Sequence, residues 1–212
     1  MNFLAHIYLS GKNPDIRLGS FIADSVKGRD YNDYAPDIKK GILLHRSIDT
    51  FTDQHPVIHS CKHLVRKEYR KYSGIIIDIF FDHFLAAYWS NFSSESLEDF
   101  ARNNYRLMEE NKSVLPERVL QFYPFMVQNN WLLMYSTIEG IEKVLQRMPT
   151  RTSLPQMAEF GIKVLRENYN LLRNYFFLYM GDVIKYVEEN HHINIMRQKK
   201  EKTSRKQTKA NF

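Results

Sequence analysis

The chain has 212 residues, of which 43% are hydrophobic, and a formal net charge of +6. This length suffices for one globular core and requires no second domain. The single cysteine, Cys61, excludes an intramolecular disulfide framework, the N-terminus lacks a signal-peptide pattern, and no apolar run approaches the roughly 18–20 residues of a membrane span. We therefore expect a cytoplasmic protein with one domain over residues 1–192.

The positive charge is concentrated at the end of the chain. Residues 197–212 hold seven Lys or Arg against one Glu, which accounts for the whole net charge. Such a run is usually a solvated end, so residues 193–212 are predicted to be a basic tail, without nucleic-acid binding. The neutral remainder contains one basic block, formed by Lys62, Arg66, Lys67, Arg70 and Lys71. On sequence alone, this block is best interpreted as a solvated helix face.

The spacing of apolar residues predicts an all-α fold. Apolar residues recur at intervals of three and four, whereas the alternation typical of strands is scarce. Pro36 opens a predicted helix, and His55-Pro56 ends it. Further breaks are predicted at Asn13-Pro14-Asp15, Tyr72-Ser73-Gly74, Ser93 to Ser96, Leu115-Pro116 and Tyr123-Pro124. A helix from Ser136 to Arg147 and long helices from Leu154 to Glu189 follow.

Histidine and aspartate recur along the first predicted helices. His6 lies among apolar neighbours, where a histidine is more often a hydrogen-bonded core residue, and Asp24 follows another apolar stretch. His45 and Asp49 lie four residues apart, so on a helix they differ by about 40° and project side by side. Asp53 extends this row by one more turn. These residues place any chemistry in the N-terminal half.

The segment IIIDIFFDHFLAA, residues 75–87, is apolar except for Asp78, Asp82 and His83. Burying an unpaired carboxylate in such a helix costs several kcal/mol. For any one of these acids, pairing with an arginine or capping of a backbone group is an equally good explanation. The whole set is better satisfied by a divalent cation, which offsets several negative charges at once. Ligands without a thiolate favour Mn²⁺, Fe²⁺ or Mg²⁺, and allow Zn²⁺.

Four stretches taken together resemble the acyl carrier protein phosphodiesterase family over about residues 1–190. They are MNFLAHIYLSG, RLGSFIADSVKG, GILLHRSIDTFTDQHPV and GIIIDIFFDHFLAAYW. The resemblance implies a single-domain helical bundle related to the HD-domain phosphohydrolases, with Asp82-His83 in reversed order to the usual His-Asp doublet. It also implies Mn²⁺-dependent hydrolysis that removes 4′-phosphopantetheine from the serine of holo-acyl carrier protein, by a metal-activated water.

The resemblance assigns roles to particular positions. The family's motif residues fall on Asp24, His45, Asp49, Asp78, Asp82 and His83, with His6, Asp53 and His55 close behind. Asp78, Asp82, His83 and Asp24 are the predicted metal ligands. His45 is either a further ligand or a general acid and base, Asp49 orients His45, and Asp24 completes the catalytic set.

The carrier is the predicted partner and is a small acidic protein. The resemblance therefore gives a function to the basic block Lys62 to Lys71, together with Arg46, as a docking face. Ser47 departs from the second basic residue that family members often have there. Two other functions remain open: a metal-dependent phosphohydrolase of a nucleotide or other small phosphodiester, and a non-catalytic helical adaptor whose aspartates pair with Lys and Arg.

Overall fold

The computed structural model describes residues 2–148 and 154–195, and within these ranges it contains helices and no β-strand. The predicted all-α fold is confirmed. The helices are α1 (Phe3–Leu9), α2 (Pro14–Ile22), α3 (Pro36–Gln54), α4 (Pro56–Tyr69), α5 (Ser73–Ala87), α6 (Leu97–Glu110), α7 (Glu117–Gln128), α8 (Trp131–Met134), α9 (Ile138–Arg147), α10 (Ala158–Glu167) and α11 (Tyr169–His191). The predicted basic tail lies outside the described residues from residue 196 onward.

Helix α5 is the centre of the core. Eleven of its fifteen residues are buried, including Asp82 and His83. It packs against α1, α4, α9 and α11, and α11 also contacts α3 and α4. None of the described helices combines the length and apolar character needed to cross a membrane.

Helices α2 and α3 form the most extensive helix pair, and glycines make their close approach possible. A Cβ atom at Gly19 would collide with the carbonyl oxygen of Ile38, and one at Gly41 would collide with that of Ile16. With hydrogen at these positions, the two backbones touch directly. This contact fixes the side of α3 that faces the end of α2.

Replacing Gly41 with alanine should therefore destabilise the fold. Because the obstructing atoms belong to the backbone of α2, the helices must separate, and we expect a loss of about 1–3 kcal/mol or more. Gly181→Ala is the matched control, since Gly181 is exposed on α11 with no atom near its missing Cβ, and it should stabilise by about 0.5–1 kcal/mol. Urea denaturation measures both free energies. Equal effects of the two substitutions would contradict this packing.

Most predicted helix boundaries agree with the structure. Pro36 opens α3, which ends at Gln54 before His55, and Ser96 caps α6 by accepting a hydrogen bond from the Asp99 N–H. The predicted break at Tyr123-Pro124 is wrong, because α7 continues through Pro124 to Gln128. Burial of Tyr123 and Met126 on either side of the proline holds this helix against the core despite the missing backbone donor.

Candidate functional site

Two imidazoles from distant parts of the sequence stack at the centre of the site. The rings of His6 on α1 and His45 on α3 lie 3.6 Å apart between centroids and only 10° from parallel, and both residues are buried. The His45 Nδ1 atom lies 2.8 Å from the carbonyl oxygen of Ser20 on α2, so this nitrogen carries the proton that it donates. The Nε2 atom of His45 is therefore the position at which this ring takes up a second proton or binds a metal ion.

Two carboxylates converge on the same imidazoles. Asp49 lies one turn beyond His45 and places its two oxygens 3.2 Å from His6 Nε2 and 3.3 Å from His45 Nε2. Asp24, in the turn after α2, places an oxygen 3.3 Å from His45 Nε2. The side chains of Asp49 and Asp24 are 42% and 72% exposed, whereas the imidazoles are covered. Solvent and ligands therefore reach the cluster from its acidic side.

The two imidazoles differ in protonation at neutral pH, with His6 neutral and His45 charged. Burial, and then the charge of neighbouring His45, lower the pKa of His6 to about 3. Burial also acts against the charged form of His45, but hydrogen bonds to Asp24 and Asp49 raise its pKa to about 9. For Asp49, burial is outweighed by the imidazoles of His45 and His6, which lower its pKa. The cluster thus stabilises one positive charge between two ionised carboxylates.

The donor geometry fits a metal ion. One ligand atom each from His6, His45 and Asp49 lie within 4.8 Å of one another, the one such group among the described residues. Both ring nitrogens of His6 are buried, and neither has a hydrogen-bond partner among the described residues, although Nε2 lies 3.2 Å from an Asp49 oxygen. A cation bound by Nε2 would satisfy one of these orphaned atoms and would replace the proton on His45. Imidazole and carboxylate donors suit several divalent metals.

Helix α5 does not bring all of its predicted ligands to this cluster. The buried Asp82 carboxylate accepts hydrogen bonds from the backbone N–H groups of Leu4, at 2.8 Å, and Ala5, at 3.3 Å. Burial raises the pKa of Asp82 to about 7, although these two bonds act in the opposite direction. Asp82 therefore caps the first turn of α1, the helix that carries His6.

The other two predicted ligands on α5 also have distinct surroundings. His83 Nδ1 lies 2.8 Å from the carbonyl oxygen of Tyr135, and its Nε2 lies 3.2 Å from the hydroxyl of Tyr169. Asp78 is partly buried and lines the groove beside the cluster, and burial raises its pKa. The structure thus brings His6 to the cluster, where the sequence favoured Asp82 and His83. Asp82 and His83 are successive residues of a helix and point about 100° apart, so they have different neighbours.

His45, Asp49 and Asp24 of the cluster line an open groove of about 820 Å³. A basic wall of the same groove comes from α4, the turn before α5 and the first turn of α5. That wall contributes His59, Lys62, His63, Arg66, Arg70, Lys71 and Ile75. One groove therefore joins a candidate metal site to a basic wall.

Two predicted docking residues lie outside this groove. Lys67 is exposed but does not line it. The Arg46 guanidinium donates hydrogen bonds of 2.6 and 2.7 Å to the carbonyl oxygens of Val26 and Gly28, and it lies over the Tyr31 ring. Arg46 thus holds the segment that follows Asp24 against α3.

The chain is similar to known proteins along most of its length. The sequence profile of the family described as acyl carrier protein phosphodiesterase matches residues 1–183. A protein of that name from Photorhabdus laumondii subsp. laumondii is 34% identical over 152 residues, covering 71% of this chain and 77% of the relative. One from Yersinia pestis is 29% identical over 188 residues, covering 87% and 96%. One from Escherichia coli O139:H28 is 32% identical over 155 residues, covering 71% and 79%.

No solved structure matches the chain with significance. The relation to the HD-domain phosphohydrolases therefore stays a prediction.

Proposed function

The chain belongs to the acyl carrier protein phosphodiesterase family, and from this premise we propose that it converts holo-acyl carrier protein into the apo form. In this reaction, water adds to the phosphorus of the phosphodiester that joins 4′-phosphopantetheine to a carrier serine. The bond between phosphorus and the serine oxygen breaks, and that oxygen leaves with a proton. The products are 4′-phosphopantetheine and the apo carrier.

The observation that carries this proposal is the cluster of His6, His45 and Asp49, two of which, His45 and Asp49, line a solvent-open groove. Hydrolysis of a phosphodiester needs a site that admits water and supplies positive charge where negative charge develops on the phosphoryl and leaving oxygens. The groove has a volume of about 820 Å³, and its basic wall suits an acidic protein substrate.

We propose Mn²⁺ as the resident metal, with Fe²⁺, Mg²⁺ and Zn²⁺ as the chemical alternatives for this donor set. His6, His45 and Asp49 would hold it, with Asp24 and Asp78 beside them in the groove. When bound, a divalent cation makes water nucleophilic near neutral pH and withdraws charge from the phosphoryl oxygens.

The protein's own residues have separate tasks in this scheme. The Ser20 carbonyl holds His45 so that Nε2 points toward the carboxylates, and Asp49 braces both imidazoles. Asp24 is the most exposed member, and its hydrogen bond with His45 lowers its pKa, so it is ionised at neutral pH. We assign to Asp24 the acceptance of a proton from the attacking water.

The test is incubation of purified protein with holo-acyl carrier protein and Mn²⁺, followed by mass spectrometry of the carrier. The expected result is a carrier lighter by the phosphopantetheine group. A parallel reaction with a small phosphodiester separates this activity from that of a general phosphohydrolase. A carrier that keeps its mass under these conditions contradicts the proposal.

Metal binding by the cluster can be measured independently of activity. After removal of metal with a chelator, the protein should bind Mn²⁺ in calorimetric titration, and His6→Gln should weaken binding by at least about tenfold. The matched control is His63→Gln, since His63 is exposed in the same groove but lies on its basic wall. Equal Mn²⁺ affinities of the two variants would show that His6 is not a metal ligand. Absence of binding in the wild type would favour the adaptor hypothesis.

A further inference from the structure

Arg70 has a backbone conformation that is unusual for a residue with a side chain. It follows α4 with φ of +47° and ψ of −118°, in a region of backbone space open mainly to glycine. Its N–H donates to the carbonyl oxygen of Arg66, which terminates the helix. Glycine is the ordinary residue at such a helix end, because a Cβ atom there adds strain. An arginine at this position costs stability that a glycine would not cost.

The side chain of Arg70 does not recover this cost within the protein. It is exposed, and its guanidinium makes no hydrogen bond or ion pair with any residue in the described ranges. Lys62 on the same wall differs, since its ammonium group donates to Asp53 at 2.9 Å. The Arg70 side chain nevertheless lines the groove that His45, Asp49 and Asp24 also line. Strained residues of this kind concentrate at sites that bind ligands.

Arg70 also has a suitable neighbour for binding an anionic surface. Arg66 precedes it by four residues, lines the same groove, and likewise has a guanidinium without a partner in the part of the chain that the structure describes. A guanidinium binds a carboxylate through two parallel N–H donors, which a lysine cannot reproduce. Lys67, between them in sequence, does not line the groove.

We propose that Arg70 is a specificity-determining residue that binds carboxylates of the acidic carrier protein, with Arg66 beside it, in the groove that His45, Asp49 and Asp24 also line. This inference rests on the proposed function and deepens it, because it separates the residues that select the protein substrate from those that cleave it. The basic block is then divided. Arg66 and Arg70 contact the carrier, whereas Lys67 stays in solvent.

The test is the substitution Arg70→Gly, which removes the guanidinium and also the strain. The melting temperature should rise by a few degrees, while the KM for holo-carrier rises about tenfold and kcat changes less than about twofold. Arg70→Lys keeps the charge but not the paired donors, so its KM should lie between those of wild type and the glycine variant. Lys67→Ala, the matched loss of one charge outside the groove, should leave KM within about twofold of wild type.

The outcomes are distinguishable from failure of the proposed function. If the wild type does not release phosphopantetheine from the carrier, the reaction itself is wrong. If the wild type is active and Arg70→Gly keeps the wild-type KM, or loses kcat instead, Arg70 does not select the carrier. If the glycine variant folds poorly, Arg70→Asn takes its place, because asparagine also tolerates positive φ and lacks the guanidinium. Its KM for holo-carrier should rise as expected for the glycine variant.

Discussion

Replacing His45 with glutamine should lower the rate of carrier hydrolysis by about a thousandfold, or about 4 kcal/mol of activation free energy. Its Nε2 atom faces Asp24 and Asp49, and its Nδ1 atom is fixed on Ser20. Glutamine has a similar length and can donate to Ser20, but its amide is a poor metal ligand compared with imidazole. Loss of a residue that holds the metal removes water activation from the reaction.

His83→Gln is the matched control for this loss, because it makes the same substitution in a buried histidine on another helix. His83 contacts Tyr135 and Tyr169 rather than the cluster, so its replacement should lower turnover less than about tenfold. Circular dichroism establishes that both variants are folded, and the carrier mass assay gives their rates. If His83→Gln is as inactive as His45→Gln, the predicted metal shell from the α5 motif is right and the cluster at His6 is not the catalytic centre.

Asp82→Ala should reduce the free energy of unfolding by about 3 kcal/mol, because it leaves the buried N–H donors of Leu4 and Ala5 without an acceptor. For a chain of this size, such a loss corresponds to a fall in melting temperature of about 6–12 °C. Helix α1 has only seven residues, and its attachment to α5 through Asp82 holds the turn that carries His6. Metal affinity should therefore fall together with stability.

Asp53→Ala is the matched control for an aspartate outside the core. The Asp53 side chain is 75% exposed and pairs with Lys62, and such a surface pair contributes about 0–1 kcal/mol. Asp82→Asn keeps one carbonyl acceptor and should recover part of the stability. Thermal melting followed by Mn²⁺ titration measures both quantities. An Asp82→Ala variant with wild-type stability and absent metal binding would instead identify Asp82 as a ligand.

The sequence by itself determined the features that depend on neighbouring residues. Spacing of three and four residues predicted helices, and Pro36 and His55-Pro56 marked the ends of α3, because helix formation and termination follow from local geometry and missing backbone donors. The same local geometry placed His45 and Asp49 side by side one turn apart, and the structure has them so.

Only the tertiary structure decided which residues join that pair. His6 lies 39 positions before His45, and their stacking depends on how α1 and α2 pack on α3, which no local pattern specifies. The buried carboxylate of Asp82 on α5 accepts hydrogen bonds from backbone N–H groups in the first turn of α1. These N–H groups have no partner within their own helix, so they compete with a metal for the carboxylate. The rotation of a helix about its axis determines which of its side chains face a given site, and the packing of whole helix faces determines that rotation.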